Sequence, residues 1–129
     1  MTSRALLFFT FLLATQVGAK ELDCENALTT RDMEKCIAID FDKTEVTLNQ
    51  TYQHLVKQLT QPDTEQENYT EYRNKLLNAQ RAWIKFRDAD CETQYALNSS
   101  GSIRNIVYLS CKQQRAKQRI SELNRYLPN

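Results

Sequence analysis

A chain of 129 residues with only two glycines and two prolines has room for one small domain, and too few turn residues for an all-β one. Long helices with short connections remain. Loss of the N-terminal leader described next removes one basic residue and no acidic one, so 16 basic residues face 16 acidic ones; that balance gives no support to nucleic-acid or bulk membrane-surface binding.

The chain opens with Arg4 as a positive flank and a ten-residue apolar run, "ALLFFTFLLA", from Ala5 to Ala14. "VGA" (Val17 to Ala19) then sets small residues where a signal peptidase cuts. A membrane span needs about 20 apolar residues, so this run is too short to be one. Residues 1–19 are expected to be a signal peptide, and the mature domain to run over 20–129 from Lys20. A lipoprotein leader would place a small residue directly before the first cysteine. Here Leu22-Asp23 precedes Cys24, so the expectation is a periplasmic or secreted protein with no membrane anchor after cleavage.

The first helical run begins at Thr29-Thr30-Arg31-Asp32, a hydroxyl followed three residues on by a carboxylate, which fits a capping box. Met33, Ile37, Phe41, Leu48, Tyr52, Leu55 and Leu59 then recur at helical spacing. "TQPDTEQE" (Thr60 to Glu67) breaks the run and offers Asp63 or Thr64 as the next cap. The second run carries Tyr69, Tyr72, Leu76, Ala79, Trp83 and Phe86 and ends at "NSSGS" (Asn98 to Ser102). The third carries Leu109, Ala116, Ile120, Leu123 and Leu127 and stops at Pro128. The expected fold is all-α, a three-helix antiparallel up-down-up bundle. Ile103, Val107 and Cys111 fall on a different face of the third helix from Leu109, Ala116 and Ile120, so its first half needs a second cover. Either the N-terminal segment or a partner could supply it.

Four cysteines, Cys24, Cys36, Cys91 and Cys111, form an even set in a short exported chain, which reads as two disulfides. A zinc site is disfavoured, because there is no CxxC and only one histidine, His54. The topology gathers the four thiols at one end of the bundle, and all three pairings are open. On one straight helix Cys24 and Cys36 would stand about 18 Å apart at 1.5 Å per residue. A bend through "ENALTT" brings them within bonding range, and Cys91 and Cys111 flank the second loop. The local pairs Cys24–Cys36 and Cys91–Cys111 are therefore favoured.

The most unusual stretch is "QRAWIKFRDADC", residues 80 to 91. With Trp83 at the centre of the buried stripe, Leu76, Ala79, Phe86, Arg87, Asp90 and Gln94 share it, whereas Arg81, Lys85 and Asp88 point away. Asp88 and Asp90 therefore do not converge as a catalytic carboxylate pair would. There is no second histidine, no serine elbow and no glycine-rich loop. No catalytic residue, metal or cofactor is expected, and the chain is read as not an enzyme. The expectation is a structural ion pair: Arg87 against Trp83, with Asp90 within the helix and Glu45 across from it as its carboxylates. His54 reads as solvated. Three Asn-x-Ser/Thr triplets, at Asn49, Asn68 and Asn98, match the glycosylation pattern, a weak signal alone.

Taken together, Cys24, Thr29-x-x-Asp32-Met33-x-x-Cys36, Phe41 and Leu48-Asn49-x-x-Tyr52 resemble the LprI-type lysozyme-inhibitor family of small exported bacterial proteins. So do Ala79-Gln80-Arg81-Ala82-Trp83-Ile84-x-Phe86-Arg87-Asp88-Ala89-x-Cys91, then Cys111, and Arg119-x-x-Glu122-Leu123. The likeness runs through nearly the whole mature chain. The family usually has threonine where Ala116 stands, and a glycine pair where Ser100-Gly101 stands. The resemblance implies a helical domain whose partner is a protein, a lysozyme, and whose role is to block its cleft and protect peptidoglycan. Such a cleft holds two carboxylates, so a blocking loop would offer hydroxyls or a cation. "NSSGSIR" has that chemistry, which makes Asn98, Ser99, Ser100, Ser102 and Arg104 the candidate partner-binding loop. The alternative is a non-inhibitory periplasmic interaction module using the apolar first half of the third helix.

Overall fold

The computed structural model describes residues 22–126. The leader expected over 1–19 and the Leu127-Pro128 end of the third run lie outside the described residues. Within them stand three helices and no strand: α1 (Thr30–Gln58), α2 (Tyr69–Leu97) and α3 (Arg104–Asn124).

The start of α1 follows from its cap. The Thr29 hydroxyl oxygen accepts from the Asp32 backbone N–H at 3.1 Å and donates its own proton to Asp32 Oδ2 at 2.7 Å. At α2 the cap is Asn68, not Asp63 or Thr64: its side chain accepts from the Glu71 N–H at 2.9 Å. Asp63 still serves this helix end from outside it. Its Oδ1 accepts from the Thr70 N–H at 2.8 Å, so two of the N–H groups that a helix start leaves open are satisfied by the preceding loop. That backbone donor is the main cause holding the Asp63 carboxyl below its ordinary pKa.

Which residues meet fixes the direction of each helix. Between α1 and α3, Glu34 meets Asn105 (3.0 Å) and Phe41 meets Lys112, so residue numbers rise together and the helices are parallel. Between α2 and α3, Tyr95 meets Tyr108, Cys91 meets Cys111 and Gln80 meets Arg119, so one rises as the other falls. Glu45 with Arg87, and the Leu59 carbonyl with Arg73, give the same antiparallel sense for α1 and α2. The bundle is up-down-up.

The core is small and lies where all three helices approach: Leu48 and Leu55 from α1, Leu76 from α2, Ala116 and Leu123 from α3, edged by Tyr52, Val56, Leu59, Trp83 and Ile120. Fully buried Ala116 puts only a methyl between α3 and its neighbours. The two-sided apolar character of early α3 now has its reason. Leu109 faces Arg31, Glu34, Lys35 and Ala38 of α1, while Cys111 and Tyr108 face α2. α1 and α2 each take part of this stretch; Leu109 still lines an open hollow beside α1, and Ile103 stays half exposed at the turn.

Two disulfides close the upper end. Cys24–Cys36 folds the segment before α1 back onto its second turn, and Cys91–Cys111 ties α2 to α3, each with Cα atoms 5.6 Å apart. The first stands at the surface, whereas Cys91 and Cys111 are buried.

Candidate functional site

The buried line of α2 runs Leu76, Gln80, Arg87 and Cys91, slightly rotated from a stripe centred on Trp83. Phe86 and Ala79, expected inside, are exposed as a result. Arg87 is 6% exposed, its guanidinium 4.9 Å from the Trp83 ring centroid. Its Nη1 donates to Glu45 Oε1 at 2.7 Å and its Nε to Asp88 Oδ1 at 3.2 Å. Lys112 of α3 reaches the same Asp88 oxygen at 3.2 Å. A single oxygen of Asp88 thus joins α2 to α3 while Glu45 joins α2 to α1.

Asp90 is not part of that pair. Arg115 of α3 takes its Oδ2 with both Nε (3.0 Å) and Nη2 (2.9 Å). The i, i+3 offset between Arg87 and Asp90 allowed a local pair, but Glu45 and Asp88 hold Arg87, and the α3 arginine meets the Asp90 carboxylate with two charge-assisted hydrogen bonds. Asp88, expected to point away, is the residue the sequence reading missed. Arg119 lies behind Gln80: its Nε donates to Gln80 Oε1 at 2.9 Å and its Nη1 to Glu122 Oε2 at 2.9 Å. Its Nη2 is buried and unpartnered.

α1 and α2 both lean on α3 but part from one another in front of it, leaving an open groove of about 540 Å³. The α1 wall is Glu45, Val46, Leu48, Asn49, Tyr52 and Gln53; the α2 wall is Leu77, Gln80, Arg81, Trp83, Ile84 and Arg87. Its lips are aliphatic and uncovered, with Val46 57%, Ile84 40% and Leu77 37% exposed. At its head the Arg87 charge is met by Glu45. Arg81 is exposed and has no acidic partner among the described residues. Leu77 and Ile84, seven residues apart, form a second apolar stripe on α2, the one signal that could have revealed this surface.

The α2–α3 turn is built differently. Asn98 Nδ2 donates back to the Gln94 carbonyl at 2.8 Å, and the Gly101 N–H to the Asn98 carbonyl at 3.0 Å. Arg104 Nη1 donates to the Ser99 carbonyl at 3.3 Å and its guanidinium lies 5.4 Å from the Tyr95 ring centroid. Ser99, Ser100 and Ser102 are exposed. The turn's one cation is folded onto its own backbone.

Asp90, Cys91 and Cys111 lie close enough together to suggest a metal site, but both sulfurs are spent in the disulfide, which leaves one carboxylate. His54 is exposed beside Gln58, with Nε2 3.3 Å from its side-chain nitrogen.

The profile of the family described as "Lysozyme inhibitor LprI" matches residues 23–123. The chain belongs to this family. It is also 30% identical over 107 residues to an uncharacterized protein of Rhizobium meliloti (strain 1021), covering 80% of this chain and 77% of that one. No solved structure matches it. The residues carrying the LprI resemblance run through all three helices, and some of them line the groove. Leu48, Asn49 and Tyr52 on α1 meet Gln80, Arg81, Trp83, Ile84 and Arg87 on α2 along this one groove, and Arg119 and Glu122 brace it from behind.

Proposed function

We propose that this chain is an exported lysozyme inhibitor that acts by binding its target as a protein partner, without catalysis and without a cofactor or metal. Family membership supports the class of activity. The observation that carries the site is the groove itself, where uncovered aliphatic side chains surround a tryptophan and an exposed arginine, residue types that dominate the energy of protein interfaces. The turn at Asn98 to Arg104 carries less of the reading, since a short, internally hydrogen-bonded connection is what any helix hairpin needs. A non-inhibitory module using early α3 is the less supported reading, because α1 and α2 each take part of that stretch. Export over the leader 1–19 fits two disulfides, which persist in oxidising compartments. No described helix is long and apolar enough to cross a membrane.

The test is a turbidity assay in which purified mature protein is added to lysozymes of several classes acting on bacterial cell walls. Dose-dependent slowing of lysis by at least one class is expected. No slowing with any class rejects the reading. Mass spectrometry of the exported protein is expected to give an N-terminus at Lys20; a retained Met1 contradicts the leader.

A further inference from the structure

We infer that the α1–α2 groove grips a convex, carboxylate-bearing lip of the lysozyme cleft, so that inhibition excludes polymeric substrate sterically and nothing is inserted between the catalytic carboxylates. The inference rests on the inhibitor reading above and specifies how that site works.

Shape comes first. Active-site clefts are concave, and the surface with interface character here is concave too. Two hollows cannot fill one another, so the groove must take something that protrudes. Polysaccharide-cleaving clefts are bounded by raised lips, and a domain seated on a lip covers the approach to the cleft without entering it. The convex feature that could enter, the α2–α3 turn, keeps its cation on the Ser99 carbonyl and the Tyr95 ring.

Charge then specifies the occupant. Arg87 and Glu45 neutralise each other at the groove head, and Asp88 is shared with Lys112. That leaves Arg81 as the groove's unanswered charge, at the edge of an aliphatic wall formed by Leu77 and Ile84. The matching element carries an aliphatic side chain for the wall and a carboxylate beside it for Arg81. A guanidinium is suited to this because its planar fork binds a carboxylate at two points. Seating that element would cover the exposed portions of Val46, Leu77 and Ile84 together.

The experiment uses mature, disulfide-intact protein against a lysozyme that the wild type inhibits, with two substrates: cell-wall suspension and a short soluble N-acetylglucosamine oligomer. Wild type is expected to inhibit wall lysis at least ten-fold more strongly than oligomer cleavage. Arg81→Glu and Ile84→Asp are each expected to weaken wall protection at least ten-fold while melting within a few degrees of wild type, and Arg81→Lys to keep more of it than Arg81→Glu. Arg104→Ala is expected to inhibit like wild type. Equal inhibition of both substrates overturns the lip-gripping mechanism, and so does full inhibition by both groove variants. Failure of the wild type against every lysozyme removes the inhibitor reading and this inference together, a result distinct from either of those.

Discussion

The closed and open sides of this bundle use similar residues to opposite ends. Where α3 meets its neighbours, Cys91, Ala116 and Leu123 are fully buried, and Asp90–Arg115, Asp88–Lys112 and Gln80–Arg119 tie α2 to α3. Where α1 faces α2, two polar contacts, Arg87 to Glu45 and Arg73 to the Leu59 carbonyl, span the gap, and Val46, Leu77 and Ile84 stay uncovered between them. The difference is not hydrophobicity, since Leu77 and Ile84 are as apolar as Leu76 and Leu123. It is whether a third helix lies over them. A lone α3 can cover only one side of the α1–α2 pair, and the other stays open.

If that division is right, the largest stability losses come from the closed side. Replacing Cys91 and Cys111 together by alanine is expected to cost about 3–5 kcal/mol, read as a lowered Tm. The same change at Cys24 and Cys36, a shorter loop at the surface, is expected to cost about 2 kcal/mol. The reverse order would mean that the end segment, not the α2–α3 seam, holds the fold.

Next comes Arg87, which serves both sides. Arg87→Ala leaves Glu45 without its cation and Asp88 with Lys112 alone. Because both carboxylates keep some water, the loss is expected near 2 kcal/mol, below that for a fully buried pair. A variant that melts like wild type yet cannot inhibit would move Arg87 from scaffold to binding surface.

Smaller effects belong to the α2 start. Asn68→Ala removes a cap and is expected to cost about 1 kcal/mol. Asp63 adds a pH dependence there: its carboxyl is held below its ordinary range by the Thr70 N–H. The support it gives is present above the unfolded pKa and is lost as pH falls through the depressed folded value. Amide exchange at Thr70 should therefore quicken as pH drops below about 4, once corrected for the intrinsic rate, and Asp63→Asn should abolish that dependence. Smallest of all, Ile84→Ala on the open side is expected to change stability by no more than about 0.5 kcal/mol.

Much of the scaffold is legible in the sequence because it is local. The Thr29 cap, the two loops and the helical spacing of Leu48, Leu55, Leu76 and Leu123 lie within a few residues of what they control. Asn68 is readable too, as Asn-x-x-Glu71, although Asp63 and Thr64 stand closer to the proline that breaks the run. Arg87 with Glu45 could be anticipated because a buried guanidinium on α2 must find an acid on a neighbour. Arg115 taking Asp90 could not, since nothing near Asp90 in sequence reports which α3 side chain reaches it. The groove was least legible. It exists because α1 and α2 part in front of α3, a relation among three helices that no single stripe encodes; only the Leu77–Ile84 repeat hinted at it.

The central claim is that the open side meets the partner, and Trp83, the chain's only tryptophan, lines that groove. Labelling it with 5-fluorotryptophan gives one fluorine resonance, to be followed as an inhibited lysozyme is added. The account predicts that this resonance shifts or broadens in step with complex formation, and that Ile84→Asp suppresses the change. A complex that forms at full affinity with the Trp83 resonance unmoved would contradict it.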